Sequence, residues 1–495
     1  MKKFFKSLTP LQATLLLIVA TTLMRLIAAL STELTTDEAH YALYGYYMDW
    51  SYFDHPSMIG WLQAIVLNFS DSDVALRLMP IMLFAAASIA LFKVSIKLFP
   101  NDTPWLGFLA VAIMHSGVML QLIGMAMLPD SPLLLLGLLV LLALHGVLTD
   151  GRMRYWLWLG LWLGLSGLSK YTAISFVITV LLALLLSKQW KQLLKPGPWL
   201  ALLLSFGLIL PVLYWNQQHE WISFLYQLHH GTGKLGWEFK RFIISQAGQL
   251  LVYGPLIYVF GMIAAYAGLK EVKKLSEPSH LGVMLSLALA LPLLLLFAWN
   301  SGYEMTLPHW TSFGWLALSP LTAHWIISTW KKRWVRDSVR ASVVYAVLFI
   351  VVVFSQLISP WMPFSDNKNA LRDLYGWGQA ARKAEKLRTE LAALPGETPK
   401  LFTENWTLAS RISWYARPLP VVVLDEKYNQ FDIWYGSPKN GMRGILILWP
   451  GENAKPKTGG KGEFAECALK EKMPIISNGH IASVFSFYSC QDYRL

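Results

Sequence analysis

The feature that most constrains this chain is a series of long apolar segments. The segments at 11–30, 131–148 and 281–298 are each long enough to cross a hydrocarbon core about 30 Å thick. Within lipid, a single segment of this length satisfies its backbone hydrogen bonds as a helix. Charged residues make up only 15% of the sequence, which is too few to cover the surface of a soluble protein. The sequence therefore predicts an all-α polytopic membrane bundle.

About eleven spans are predicted from these segments. Since many spans follow the first one, we expect it to be retained rather than cleaved as a signal peptide. The predicted spans lie near 11–30, 74–96, 104–123, 131–149, 155–169, 172–187, 198–214, 243–268, 281–299, 310–329 and 341–359.

The distribution of basic residues orients the spans. Lys and Arg are concentrated in alternate connections, and apart from 215–241 the intervening connections contain almost none. Because basic connections remain in the cytoplasm, the N-terminus with Lys2, Lys3 and Lys6 is placed there. An odd number of spans then puts the C-terminal segment outside the cytoplasm. The net charge of +12 thus reflects topology, and we expect no nucleic-acid partner.

Residues 360–495 have the ordinary polarity of a small α/β domain, so we divide the chain into a membrane domain at 1–359 and a domain outside the cytoplasm at 360–495. Both cysteines, Cys467 and Cys490, fall in the second domain. Outside the cytoplasm a disulfide between them is permitted, and we favour it. The predicted elements are helices at 371–394 and 406–415 and strands at 400–403, 420–424, 444–449 and 482–488.

The connection after the first span is acidic and aromatic, with no basic residue. Tyrosines and a tryptophan at helical spacing predict an interfacial helix at 37–50, followed by a second at 56–69. For the aromatic residues we favour a simple interfacial belt. Asp37 and Asp54 are different, because a carboxylate beside a bilayer without a local counter-ion is unfavourable unless it binds a cation, polarises a substrate or faces a polar cavity.

Three more polar positions follow on the same predicted side. Asp130 is either a helix cap or a functional carboxylate. Lys170 interrupts two apolar segments, and it either snorkels to the surface or binds a phosphate. His309 precedes a span, where a lone histidine is more often structural than a ligand.

These residues, in this order, resemble a family of bacterial lipid-linked-sugar glycosyltransferases with the GT-C fold. The resemblance rests on the acidic pair Asp37 and Glu38, on Tyr-Phe-Asp-His-Pro at 52–56, and on Pro-Asp-Ser-Pro-Leu-Leu at 129–134. It also rests on Leu-Ser-Lys-Tyr-Thr at 168–172 and on Tyr-Trp-Asn at 214–216 with the polar and aromatic residues that follow. The family spans the protein O-mannosyltransferases and the aminoarabinose transferases that modify lipid A.

The resemblance implies a hexosyl- or pentosyltransferase that moves a sugar, with inversion, from a polyprenyl-phosphate donor to an envelope glycolipid such as lipid A or its core. By position it implies catalytic roles for Asp37, Glu38 and Asp130. His55 stands where aminoarabinose transferases usually have lysine, so its charge depends on pH. The other implied roles are donor-phosphate binding by Lys170 and His55, a metal ligand at Asp54, and substrate contacts from Tyr41, Tyr52 and His309.

The chemistry of sugar transfer fits the same set. Departure of a polyprenyl phosphate builds negative charge that a lysine or a divalent cation stabilises. With a hydroxyl acceptor Asp37 acts as general base, whereas with a phosphate acceptor it positions the substrate or a metal. A divalent metal ion is therefore an open expectation.

Two alternatives remain at this point. A transporter or flippase of a lipid-linked precursor predicts charged residues deep within spans. Arg25 and Arg77 are the main ionisable residues near span interiors, and both are close enough to span ends to snorkel. Within the enzyme class, a protein hydroxyl is the alternative acceptor. Because the polar residues cluster on one face, we favour the enzyme.

Overall fold

The computed structural model describes residues 8–231, 236–271, 280–362, 370–449, 454–477 and 480–495. Among these residues, seven helices are long and apolar enough to cross a membrane. The seven are α1 (Pro10–Ala29), α4 (Asp73–Leu98), α7 (Asp130–Thr149), α10 (Pro196–Gln218), α12 (Phe239–Lys270), α13 (Leu281–Asn300) and α15 (Arg333–Ile358).

The other four predicted spans are also helical, but by length and composition they fall outside that group of seven. The third predicted span is interrupted at Gly117, where the backbone is extended. The chain is thus a multi-pass membrane protein, and the count of eleven spans stays a prediction. The shorter helices are α5 (Trp105–Ser116), α6 (Val118–Ile123), α8 (Met153–Ser169), α9 (Ile174–Leu186) and α14 (Ser312–Thr329).

The chain forms two compact units. The membrane unit consists of Met1–Leu26, Asp49–Ile59 and Arg77–Val353, and the C-terminal unit consists of Ile27–Met48, Gly60–Leu76 and Phe354–Leu495. The predicted interfacial helices are α2 (Thr36–Tyr46) and α3 (Met58–Leu67). The C-terminal unit therefore includes most of the first connection as well as the tail, while the domain boundary at 359 stays a prediction.

Small residues bring the helices of the membrane unit close together. A Cβ atom at Gly160 of α8 would lie 2.5 Å from the carbonyl oxygen of Ala201 in α10. Such close approach lets van der Waals packing stabilise helices in lipid, where the hydrophobic effect is weak. Arg25 and Arg77 are 0% and 1% exposed, so the expectation that they snorkel is wrong. Arg25 instead donates to Gln121 Oε1 at 2.6 Å.

The membrane unit also contains the helix α11 (Ile222–Gly231). In the C-terminal unit the elements that follow the first connection are α16 (Trp377–Ala392), β1 (Lys400–Thr403), α17 (Trp406–Tyr415), β2 (Val421–Val423), α18 (Gln430–Tyr435), β3 (Gly444–Leu448), β4 (Glu463–Ser477) and β5 (His480–Arg494).

Within the described residues these strands form a five-stranded mixed sheet in the order β2-β1-β3-β5-β4. Strands β1 to β3 are parallel, and β5 runs antiparallel to both β3 and β4. The sequence pattern missed β4 and the short helix α18, and it predicted only part of β5.

Cys467 of β4 and Cys490 of β5 form the favoured disulfide. The two residues are directly opposite in the antiparallel pair. The disulfide therefore crosslinks the two longest strands of the sheet near its edge.

Candidate active site

An ion pair between Lys170 and Asp130 is buried in the membrane unit. Lys170 Nζ donates to Asp130 Oδ2 at 2.8 Å and to Oδ1 at 2.9 Å. The two side chains are 9% and 3% exposed. Lys170 lies at the break after α8, where its backbone is extended, and Asp130 is the first residue of α7. Asp130 therefore does not cap its helix, and Lys170 does not snorkel, because the two side chains form an ion pair with each other.

The pair is neutral, but it retains hydrogen-bonding capacity. Asp130 Oδ1 also accepts from Ser312 Oγ at 3.4 Å. An ammonium group has three N–H donors, and within the described part of the chain Asp130 takes two of those of Lys170. The third is left for a further acceptor, such as an oxygen of a bound anion.

His309 lies beside this pair, in the turn Pro308–Thr311 that precedes α14. Burial lowers the pKa of His309 to about 4, and the charge of Lys170 acts in the same direction while that of Asp130 opposes it. His309 is therefore neutral at neutral pH and acts as a hydrogen-bonding group. Tyr253 of α12 holds the turn in place, because its hydroxyl donates to the carbonyl oxygen of Pro308 at 2.8 Å.

The middle of the first connection, 49–59, is held on the membrane unit by polar contacts. Trp215 of α10 donates its indole N–H to Asp49 Oδ2 at 2.8 Å. The backbone N–H of Asp49 in turn donates to the hydroxyl of Tyr52 at 3.0 Å. Tyr52 is fully buried, and burial raises the pKa of its phenol, which stays protonated. Sequence reasoning missed Asp49, although Trp215 was part of the motif at 214–216.

Tyr171 is a second residue that sequence reasoning did not assign. Its hydroxyl contacts Ser223 Oγ at 2.6 Å and Ser51 Oγ at 3.5 Å. Burial raises the pKa of Tyr171, and the carboxylate of Asp54 adds to the rise. The signal for Tyr171 was its position directly after Lys170, which places a phenol next to the ion pair in sequence.

Asp54 and His55 lie within the same unit. His55 Nε2 is 3.9 Å from Asp54 Oδ2, and the side chains are 16% and 19% exposed, respectively. Gln227 of α11 donates to the backbone carbonyl of Asp54 at 2.6 Å. Burial is the main cause of the low pKa of His309, and His55 lowers it further. The two imidazoles are therefore neighbours. The membrane unit therefore contains six of the predicted residues: Tyr52, Asp54, His55, Asp130, Lys170 and His309.

The described residues contain no group of three or more His, Cys, Asp or Glu side chains arranged to hold a metal ion. Asp54 with His55 supplies two donor groups, whereas hard cations take six or more oxygen ligands. A metal at Asp54 stays a prediction.

Asp37, Glu38 and Tyr41 lie in the C-terminal unit, on α2. Glu38 forms a capping box: its Oε2 accepts from the N–H of Thr35 at 3.0 Å, and its own N–H donates to Thr35 Oγ1. Two backbone donors of the helix end are thus satisfied. This contact gives Glu38 a structural role, and its catalytic role stays a prediction.

Asp37 is half-buried in the first turn of α2. Its carboxylate interacts with Arg411 of α17, a residue of the same unit. The counter-ion that the local sequence lacks is therefore supplied by the distant C-terminal segment. Tyr41 is 6% exposed and packs at the edge of His40.

Comparisons with known proteins agree with this architecture. A family model described as dolichyl-phosphate-mannose-protein mannosyltransferase matches residues 54–215. The lipid A galacturonosyltransferase RgtD of Rhizobium johnstonii is 26% identical over 368 residues, covering 73% of this chain and 74% of that protein.

Two solved structures share the fold. ArnT from Cupriavidus metallidurans in the apo state superposes with a TM-score of 0.61 at 14% identity, covering 88% of this chain and 92% of that one. The same protein bound to undecaprenyl phosphate gives a TM-score of 0.57 over the same shares of the two chains. The chain is therefore a membrane glycosyltransferase. Within that class its fold is ArnT-like.

Proposed function

We propose that this chain transfers a sugar from a polyprenyl-phosphate donor to an envelope glycolipid, lipid A or its core, with inversion. The observation that carries the proposal is the match along about three quarters of both chains to a lipid A galacturonosyltransferase. The ArnT structure that was solved with undecaprenyl phosphate supports the class of donor. The distribution of basic residues supports an inner-membrane protein with a cytoplasmic N-terminus and a periplasmic reaction.

In this reaction the bond between the anomeric carbon and the phosphate oxygen breaks, and a bond from the acceptor oxygen to that carbon forms. The electron pair of the broken bond leaves with the polyprenyl phosphate. Lys170 supplies its remaining N–H to that phosphate, neutral His309 offers a further hydrogen bond, and the imidazole of His55 offers another. With a hydroxyl acceptor, Asp37 takes the acceptor proton.

The Lys170–Asp130 pair is better suited to orienting the donor phosphate than to attracting it. A lone buried ammonium would bind phosphate strongly but would be costly to bury, whereas Asp130 stabilises the ammonium before substrate arrives. The pair also fixes the direction of Nζ, because both carboxylate oxygens hold it. Removing one such electrostatic contact lowers the rate about a hundredfold, which corresponds to about 3 kcal/mol.

The test is transfer by the purified full chain from radiolabelled galacturonosyl and aminoarabinosyl polyprenyl phosphates to a crude envelope lipid extract. We expect label in lipid A or its core with the native chain and a loss of about a hundredfold with Asp37→Asn. Asp492→Asn is the control, because Asp492 is an exposed carboxylate on β5 of the same unit, where it pairs with Arg494. No transfer from any donor, with movement of the intact lipid across vesicles, would favour the transporter and exclude the proposal.

A protein hydroxyl is the second candidate acceptor, and the match of residues 54–215 to the protein mannosyltransferase model favours it. The same assay with an envelope protein fraction as acceptor separates the two. Label that remains with protein after lipid extraction would identify this alternative.

A further inference from the structure

The helix that carries the predicted base belongs to the C-terminal unit. Segment Ile27–Met48 clusters with Phe354–Leu495, whereas Asp49–Ile59 clusters with the membrane helices. The position of Asp37 is therefore set by its contacts with the C-terminal residues that lie against α2.

The contacts begin just before α2. Glu33 accepts the backbone N–H groups of Trp377 at 2.7 Å and Gly378 at 3.1 Å, at the N-terminus of α16. The N–H of Leu34 donates to the hydroxyl of Tyr415 at 3.0 Å. Two consecutive residues that lead into α2 are thus bound to two different helices, α16 and α17. This arrangement fixes the direction in which α2 starts.

One face of α2 is fixed by α17. Asp37, His40 and Tyr44 follow one another at helical spacing, so they share a face. His40 Nδ1 is 3.0 Å from Ser410 Oγ, and His40 Nε2 is 3.0 Å from the hydroxyl of Tyr44. The ring is 4% exposed and lies 5.1 Å from that of Trp406. Both ring nitrogens are bonded, so the ring cannot rotate without losing a hydrogen bond. Because the bond to Ser410 joins α2 to α17, α2 cannot turn about its axis without breaking it.

Arg411, the neighbour of Ser410 on α17, interacts electrostatically with the carboxylate of Asp37. Its guanidinium is 2% exposed and stacks 3.6 Å from the ring centroid of Trp377. Burial lowers the pKa of Arg411 to about 10, and the carboxylates of Asp373 and Asp37 oppose the fall. Arg411 Nη1 lies 3.7 Å from Asp373 Oδ1. The charge of Arg411 is thus shared between Asp373 and Asp37.

We propose that Ser410 and Arg411 are positioning residues for the reaction: Ser410 fixes the rotation of α2 through His40, and Arg411 keeps the carboxylate of Asp37 ionised and oriented. This inference rests on the proposed function for the role of Asp37. It also assigns a task to the C-terminal unit, which carries the proposed base and fixes its orientation within the unit.

The test must separate positioning from simple support of the fold. The titratable groups that face Arg411 are Asp37 on α2, Asp373 on the turn Ala370–Leu374 and Tyr415 on its own helix, and His40 and Glu38 flank Asp37. A carboxylate that loses a neighbouring cation has its pKa raised by about 1 unit or more. The acidic limb of the rate profile against pH reports this change.

Transfer rates of the full chain are measured from pH 4 to 9 for Arg411→Gln, Arg411→Lys and a control, Arg443→Gln. Arg443 is also a buried arginine of this unit, but it binds the carbonyl oxygens of Leu394 and Pro395. We expect Arg411→Gln to lower kcat about tenfold at neutral pH, with little change in KM for the donor, and to move the acidic limb up by about 1 pH unit. Arg411→Lys should return the acidic limb to its native position on the pH axis, because lysine keeps the positive charge. An acidic limb that stays in place in Arg411→Gln would overturn the role of Arg411.

Hydrogen exchange of the amides in α2 provides a readout that does not need activity. Ser410→Ala removes one hydrogen bond to His40, so exchange across α2 should rise about fivefold, while Arg443→Gln should leave it unchanged. Equal exchange in native chain and Ser410→Ala would overturn the role of Ser410. If the native chain transfers no sugar, the proposed function fails, and the exchange result still decides whether Ser410 positions α2.

Discussion

The Lys170–Asp130 pair allows a quantitative prediction that separates stability from catalysis. Both side chains are less than a tenth exposed, and two hydrogen bonds of 2.8 and 2.9 Å join them. Removing one partner of such a pair leaves an uncompensated buried charge and costs about 3–5 kcal/mol. Lys170→Met and Asp130→Leu should each lower the free energy of unfolding by about this amount.

The double variant should recover most of the loss, to within about 1 kcal/mol of the native chain, because no charge is then left unpaired. The assay is reversible unfolding in mixed micelles, with the coupling energy taken from the double-mutant cycle. The control is Arg333→Ala, which removes an exposed ion pair with Asp337 and should cost less than about 1 kcal/mol. Single variants that each cost under about 1 kcal/mol, with additive effects, would refute the reasoning.

The stable double variant then tests the proposed role of Lys170. If Lys170 binds the donor phosphate, the double variant should fold but transfer sugar about a hundredfold more slowly than the native chain. A double variant that transfers at the native rate would show that the pair is structural only.

The remaining predictions concern pH, packing and the disulfide. Because burial lowers the pKa of His309 from 6.5 to about 4, the native chain should lose stability as pH falls from 6.5 towards 4, and His309→Gln should remove that part of the loss in a melting series. Gly137→Ala should cost about 1–3 kcal/mol in micelle unfolding, since its Cβ would lie 2.1 Å from the ring of Phe313, whereas Gly207→Ala, with open space around it, should cost little. Reducing the disulfide between β4 and β5 should destabilise the C-terminal unit by about 2–4 kcal/mol, seen as a lower melting temperature with reductant; an unchanged temperature would contradict its structural role.

Much of the fold was predictable because its signals are local. Each predicted span falls on helical residues, although the third is divided between α5 and α6, and β1 and α17 begin and end where the pattern placed them. The errors have local causes as well. Strand β4 carries five Lys and Glu residues, three of them exposed, and therefore lacks a clear apolar alternation. The six-residue helix α18 is too short for periodicity to show.

The candidate site was predictable in part. Residue type and position in the chain indicated Asp54, His55, Asp130, Lys170 and His309, and the structure places all five in the membrane unit. Their partners were not predictable. The contacts of Asp49 with Trp215 and of Tyr171 with Ser223 join residues that are 166 and 52 positions apart.

The sequence by itself determined that this chain crosses a membrane, which segments are helical and that its polar residues are concentrated between the spans. These properties follow from the cost of exposing backbone groups and charges to lipid. Each segment avoids that cost through its own side chains and its own backbone hydrogen bonds. The tertiary structure decided which charges pair. Lys170 is neutralised by a carboxylate 40 positions away, and Asp37 finds its cation on α17, because only packing brings such groups close enough for hydrogen bonds and Coulomb attraction.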